Sequence, residues 1–538
     1  MNSIKATTSK GLGIHITAVD GLAVLMSIVL IYASFDCTQY SGIRPFVMVE
    51  PLLIAYCVLR ILFSVNYKWT SYLLLLLIAV FCAKELILGY SQLIQSFGKI
   101  KGQEVCKGSF SNSGPMGCFL SVCASLFIAV CTGESKQIIR IPLAVLAVSA
   151  SILMACTLSR ASVLSFAVSM LLLLMKRDDF SAFIRRNWIY LTLAVSLLGT
   201  GAYFFKKPSA DGRLLMTRIN MRMISEGGLA GTGLGNYGGA YGEAQAHFFA
   251  EYLDNGSDRM DIDRIPESLR KVADCPSNAF NEYLKMGVES GPVAMILLIG
   301  LTLTGIICTY RSNSYWCYPL ITVSVFACFS YPFEIGVLLL MFVICLASND
   351  SGKSIGGTGI GFFLLMTVVL IPIYRSHISV IDSMNFRFRA SGIKGLFENR
   401  PNRYSILGYG SLPDGLYDEK VIFEYGQSLN ECGDYCLSDS LLTIGTSISS
   451  DPMFWNVMGN NSLMQGKYRE AEYRYKHAFY MVPNRLYPLY LMAKLYYTEG
   501  DTVRFLSMAD KIESFVPKVE SLQTERLRLE IRELKSEY

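Results

Sequence analysis

Residues 70–88 read TSYLLLLLIAVFCAKELIL, and this stretch decides the architecture. From Leu73 to Ala83 the run holds no charge, and its first ionisable residues are Lys84 and Glu85. A helix of about 20 mainly apolar residues crosses a bilayer, and this run has that length. Similar runs occur at 15–35, 46–64, 115–132, 140–157, 160–175, 188–205, 282–309, 316–331, 334–348 and 358–375. The two on either side of Tyr331–Glu334 are short. The first run is expected to be kept rather than cleaved as a signal, because it is long and no small-residue cleavage pattern follows it. The chain therefore reads as all-α: a polytopic helical bundle of about eleven spans over 1–376, followed by a soluble segment over 377–538.

Composition agrees. The 538 residues are 52% hydrophobic and 17% charged, with mean hydropathy +0.37. A soluble domain carries about 25% charged residues. The deficit lies in residues 15–376, whereas residues 380–538 have an ordinary soluble composition. The net charge of +5 comes with no basic tract, so nucleic acid is not an expected partner. Most of the 15 cysteines, such as Cys57, Cys82 and Cys123, lie inside apolar runs and act as small hydrophobes. No CxxC pair or spaced Cys/His/carboxylate set calls for a metal, and no cofactor is implied.

Lys and Arg in short loops set the orientation. With Lys5 and Lys10 in the cytoplasm, Lys68, the Lys136–Arg140 turn, the KRDDFSAFIRR loop (176–186), Arg311 and Lys353 also fall inside. Residues 89–114, the Ser159–Arg160 turn, the long stretch 206–281 and the C-terminal segment then fall outside. This is the layout of a multi-pass membrane protein with its C-terminal domain outside. Arg44, Glu50, Lys84, Glu85, Arg160 and Glu334 gather near that outer face, where ionisable residues mark a functional site or paired structural charges.

The C-terminal segment holds a repeat of period 34. Trp455, Gly459, Ala471, Tyr475, Ala478 and Pro483 fall at tetratricopeptide offsets, and Ala493, Tyr496 and Pro517 follow one period later. Repeats of this kind over about 451–518 would bind a protein or peptide partner rather than do chemistry. A plain amphipathic hairpin is the simpler alternative.

Four segments carry a resemblance. They are FSNSGPMGCFL (110–120), CTLSRASVLSFAVSMLLLL (156–174), DGRLLMTRINMRMISEGGLAGTGLGNYGGAY (211–241) and SNAFNEYLKMGVESG (277–291). In this order, with a long outer loop between the last two, residues 70–310 resemble the O-antigen ligase/polymerase superfamily of membrane glycosyltransferases. The resemblance implies a GT-C-like bundle, and a fused tetratricopeptide region also occurs in that family. It implies transfer of a glycan from a polyprenyl diphosphate carrier to an acceptor, either a lipid core sugar or a protein hydroxyl. A polymerase of repeat units shares donor and fold, and a non-catalytic scaffold is the reading from another class.

Arg160 and Arg213 match the family's arginines. Their planar forks suit a diphosphate leaving group, although Arg213 also suits a lipid headgroup. Arg218 and Arg222, at i+5 and i+9 from Arg213, rank second for substrate binding, with Asn278, Asn281, Lys84 and Glu50. Gly233 could offer its N–H to phosphate, or the Gly231–Gly235 turn could simply re-enter tightly. Many family members carry a histidine where this chain has Asn278 and Phe280. The base for the acceptor hydroxyl is then His247 or Glu282, with His377 less suitable. Cys106 and Cys275, both in outer segments, are an expected disulfide pair; Cys432 and Cys436 compete, but at i,i+4 they suit one helix face better than a bridge.

Overall fold

The computed structural model describes residues 16–35, 43–96, 106–133, 136–205, 207–253, 262–349, 363–368 and 419–538. Among these residues the fold is all-helical, with no strand. Lys5, Lys10, His15, Lys353 and His377 lie outside the described residues.

The apolar runs fold into α1 (Ala18–Phe35), α2 (Ile43–Val65), α3 (Tyr67–Ser96), α4 (Ser113–Gly133), α5 (Gln137–Cys156), α6 (Arg160–Leu174) and α7 (Asp178–Phe205). The long stretch 206–281 holds α8 (Lys207–Glu226), α9 (Tyr237–Leu253) and the short α10 (Glu267–Val272). The chain then returns to the bundle as α11 (Glu282–Arg311), α12 (Cys317–Ala327) and α13 (Gly336–Ala347). Arg44 and Glu50 are residues of α2.

Among the described residues, four helices, α3, α4, α5 and α11, are long and apolar enough to cross a membrane. Of these α4 is the central one, with Met116 to Phe127 buried along its length. It packs on α5, α6 and α12. On α3, Leu73, Leu76, Leu77, Val80 and Ile87 face outward, as do Ile141, Val145, Val148 and Ile152 on α5. Water would not support so broad an exposed aliphatic face, whereas lipid does. The runs at 316–331 and 334–348 form shorter helices than a span needs. At 11 and 12 residues, α12 and α13 are each about 16–18 Å long. A 3-10 turn at Pro332–Glu334 separates them.

The bundle has two polar ends. At one, Lys176 donates to Asn313 Oδ1 (2.9 Å), and Tyr67 Oη meets Ser314 Oγ at 2.9 Å. At the start of α1 an ion pair is sealed inside. Arg60 donates to Asp20 from Nε (2.9 Å) and Nη2 (3.2 Å), and Tyr56 Oη donates at 2.6 Å. Thr17 donates to the same carboxylate, and Asn349 donates to Thr17. Asp20 and Arg60 are 1% and 3% exposed, so this network ties α1 to α2 and to the end of α13.

The C-terminal segment is a succession of helices: α14 (Glu419–Glu431), α15 (Tyr435–Ile448), α16 (Met453–Met464), α17 (Tyr468–Met481), α18 (Tyr487–Glu499), α19 (Thr502–Ser514) and α20 (Leu522–Lys535). Each packs on the next. Small residues set the approach: Gly426 admits Leu442, Gly445 admits Phe454, and Gly459 admits Tyr475. Ala471, Tyr475 and Ala478 are fully buried between them. This segment is not packed by itself. Leu215 and Ile219 of α8, and Tyr237, Tyr241 and Phe249 of α9, share one continuous core with Phe479, Leu489 and Phe505.

Candidate functional site

At the other end of the bundle, the four quoted segments come together. Gly117, early in α4, lets the start of α6 approach. A Cβ there would lie 2.6 Å from Ser162 Oγ and 2.7 Å from Thr157 Oγ1. Arg160 is the first residue of α6, behind Ser159, whose hydroxyl accepts from Ser162 Oγ at 2.7 Å. Arg213 of α8 lies within its electrostatic reach. Burial, and then the charge of Arg160, push the Arg213 guanidinium below its ordinary value, while Tyr331 acts in the opposite sense.

Arg213 is held by soft contacts. Its Nη1 donates to the Phe329 carbonyl (3.1 Å), and its guanidinium lies 5.1 Å from the Phe280 ring centroid. Phe280 has φ +50, a left-handed conformation that aims its side chain. Its ring meets Tyr331 edge-on at 5.4 Å, and Asn112 donates to Tyr331 Oη at 2.7 Å. Sequence reasoning passed over Tyr331 and the Phe329 carbonyl. The only signal for them was the break between two short apolar runs.

The first turn of α11 faces the same Tyr331–Glu334 turn. Asn281 caps the helix, accepting from Tyr283 N–H and Leu284 N–H, both at 3.1 Å. Glu282 is 5% exposed and accepts the Phe333 N–H at 2.8 Å. Lys285, 12% exposed, forms an ion pair with Glu334, which is 46% exposed. Lys285 also donates to Asn278 Oδ1 at 3.4 Å. Asn281 therefore serves as a cap, and Glu282 is too enclosed to meet an acceptor hydroxyl.

The glycine turn docks on α11. Thr232 N–H and Gly233 N–H donate to the Val288 and Glu289 carbonyls, both at 2.9 Å. The Tyr237 N–H meets the buried Glu289 carboxylate at 3.3 Å. A Cβ on Gly231 would lie 2.6 Å from Gly291 N, so this position needs glycine. With its N–H used in this way, Gly233 serves re-entry, and phosphate contact through it is set aside.

The remaining expected residues lie apart. Arg222 pairs with Glu226 (2.8 Å) and Glu251 (2.6 Å), and Arg218 stacks on Phe248 at 5.1 Å. His247 is exposed on α9 beside Glu251. These form a separate surface group on α8 and α9. Lys84 pairs with Glu85 (3.1 Å) and lies 5.0 Å from the Phe81 ring. Glu85 is fully buried and accepts from Ser109 N–H (2.9 Å) and Oγ (2.6 Å), pinning the stretch that leads into α4. Cys106 and Cys275 are free thiols. Cys106 is buried against Gly89, whereas Cys275 accepts from Arg485 Nη2 at 3.1 Å, so each thiol has its own surroundings and the expected bridge is absent.

No family model matches the chain, and no curated protein matches it. The class these features define is an all-helical protein with helices able to cross a membrane, carrying a polar arginine site at one bundle end.

Proposed function

We propose that the chain is a membrane glycosyltransferase that moves a glycan from a polyprenyl diphosphate carrier to an acceptor hydroxyl, in the manner of O-antigen ligases. The observation that carries this reading is the approach of Arg160 to Arg213 where four separate sequence segments meet. Two guanidiniums within electrostatic reach repel, and an anion bound by both would relieve that repulsion. A diphosphate leaving group supplies such an anion, and its charge grows as the glycosidic bond breaks. The aromatic pair Phe280–Tyr331 beside Arg213 gives a sugar a ring face to lie on.

About eleven spans, with the arginine site at the outer face of a bacterial inner membrane, suit this chemistry. The apolar tail of the donor would then stay in lipid while its head reacts. The C-terminal helices, read as tetratricopeptide-like, lie in the same compartment and favour a protein acceptor or partner. Glycan profiling of a deletion strain tests the reading. Loss of modified acceptor with long lipid-linked chains retained is the ligase outcome. Loss of chain length alone would make it a polymerase. An unchanged profile would remove both and leave a scaffold.

A further inference from the structure

The geometry points to Glu334 as the carboxylate that takes the proton from the acceptor hydroxyl, held in place by Lys285. This rests on the transferase reading above and supplies the base it lacks. The two residues first considered for that work are poorly placed. Glu282 is enclosed, with one oxygen taken by the Phe333 N–H. His247 belongs to the α8–α9 surface group with Glu251.

Glu334 differs from both. It stands on the same 3-10 turn as Tyr331, its N–H donating to the Tyr331 carbonyl at 3.3 Å. The Tyr331 ring in turn meets Phe280, over which Arg213 lies. Glu334 is 46% exposed, open enough for an acceptor to reach, whereas its partner Lys285 is 12% exposed and fixed from behind. Lys285 is itself steadied by Asn278 at 3.4 Å and by Glu289 at 3.9 Å. Glu282 and Lys285, one helical turn apart on α11, thus grip consecutive residues of the turn that carries Tyr331 and Glu334. They are positioning residues, and Glu334 is the group that meets the substrate.

The step balances without a co-reactant. The acceptor oxygen bonds to the anomeric carbon as that carbon's bond to the diphosphate oxygen breaks. The electron pair leaves on the diphosphate, against Arg160 and Arg213. The hydroxyl proton passes to Glu334, which later returns it to water. No strong base is needed when the sugar carbon is already cationic and the proton leaves late.

The test uses full-length protein in membranes of a deletion strain, which supply their own lipid-linked glycan and acceptor. Wild type, Glu334→Gln, Glu334→Asp and Arg213→Ala are compared at equal protein level across pH. Wild-type transfer should fall at low pH, as for any reaction that needs an unprotonated base. Glu334→Gln should slow transfer by roughly 100-fold or more, and its residual rate should lack that acid limb. Glu334→Asp should recover part of both. A Glu334→Gln rate close to wild type overturns the assignment, as does a slowed rate that keeps the acid limb, since that marks a merely structural role. If Arg213→Ala is dead in either case, the transferase reading stands without this base. If Arg213→Ala transfers normally, the transferase site itself falls.

Discussion

At the scale of single residues, the charges divide into two kinds. Asp20 and Arg60 satisfy each other inside the bundle, with Tyr56 and Thr17 completing the carboxylate's shell. Removing one member leaves the other charged and buried, which costs about 3–5 kcal/mol. Arg60→Ala should therefore lower the thermal midpoint of the detergent-solubilised protein markedly. The double change Asp20→Asn with Arg60→Gln should cost less than the two single changes summed, and strict additivity would contradict the pairing. Arg213 is of the other kind, held by a carbonyl and an aromatic face beside a second guanidinium. Both arginines could be named from sequence because they stand in the segments that carry the family resemblance, and Arg160 also opens an apolar run. Asp20–Arg60 could not, because its members are 40 residues apart and each alone reads as an edge charge. Tyr331 was equally hidden, since an aromatic residue between two apolar runs has no periodic signature.

Among the elements, α11 does the most to shape the site. It breaks at Gly291, with φ 84 and ψ 168, and restarts at Pro292, which has no N–H to leave unpaired. A side chain at 291 would run into the Leu229 carbonyl, so the break and the glycine turn hold each other. Gly291→Ala should cost of order 1–3 kcal/mol from backbone strain alone, with the clash added, and should slow transfer as well. Gly300→Ala is the matched control on the same helix. A Cβ there meets nothing within 4 Å, and its effect should stay within about 0.5 kcal/mol. Equal unfolding midpoints for the two variants would contradict this role for the break. Helix positions were legible because apolar runs of this length have one low-cost conformation in lipid. The division of labour after residue 206 was not. Asn484 donates to the Arg270 and Ala273 carbonyls at 3.0 and 2.7 Å, and Gln245 to the Asp274 carbonyl at 2.9 Å. The segment leading to Phe280 is thus held by α9 and by Asn484, more than 200 residues further on, a link that no local pattern announces.

Across the whole molecule, the stretch 206–281 and the C-terminal helices behave as one body, with α9 packed against α15 and α17. They must lie on the same side of the bilayer as the arginine site, whichever side that is. The proposed function needs that side to be outside, which is also what the charge of the short loops leads one to expect. Val519 is 69% exposed, so Val519→Cys should react with a membrane-impermeant maleimide in cells whose outer envelope alone is permeabilised. Reaction only after inner-membrane lysis would reverse the orientation and remove an outer-face transferase. The central claim, that Arg160 and Arg213 together hold a lipid-borne diphosphate, has a direct test that needs neither glycan nor acceptor. Farnesyl diphosphate is titrated by calorimetry into the full chain in nanodiscs, as wild type, Arg160→Ala and Arg213→Ala. Charge-assisted contacts of about 1.5–3 kcal/mol each predict saturable binding by wild type and a roughly 10–100-fold loss in each variant, whereas equal affinity in all three proteins would contradict the claim.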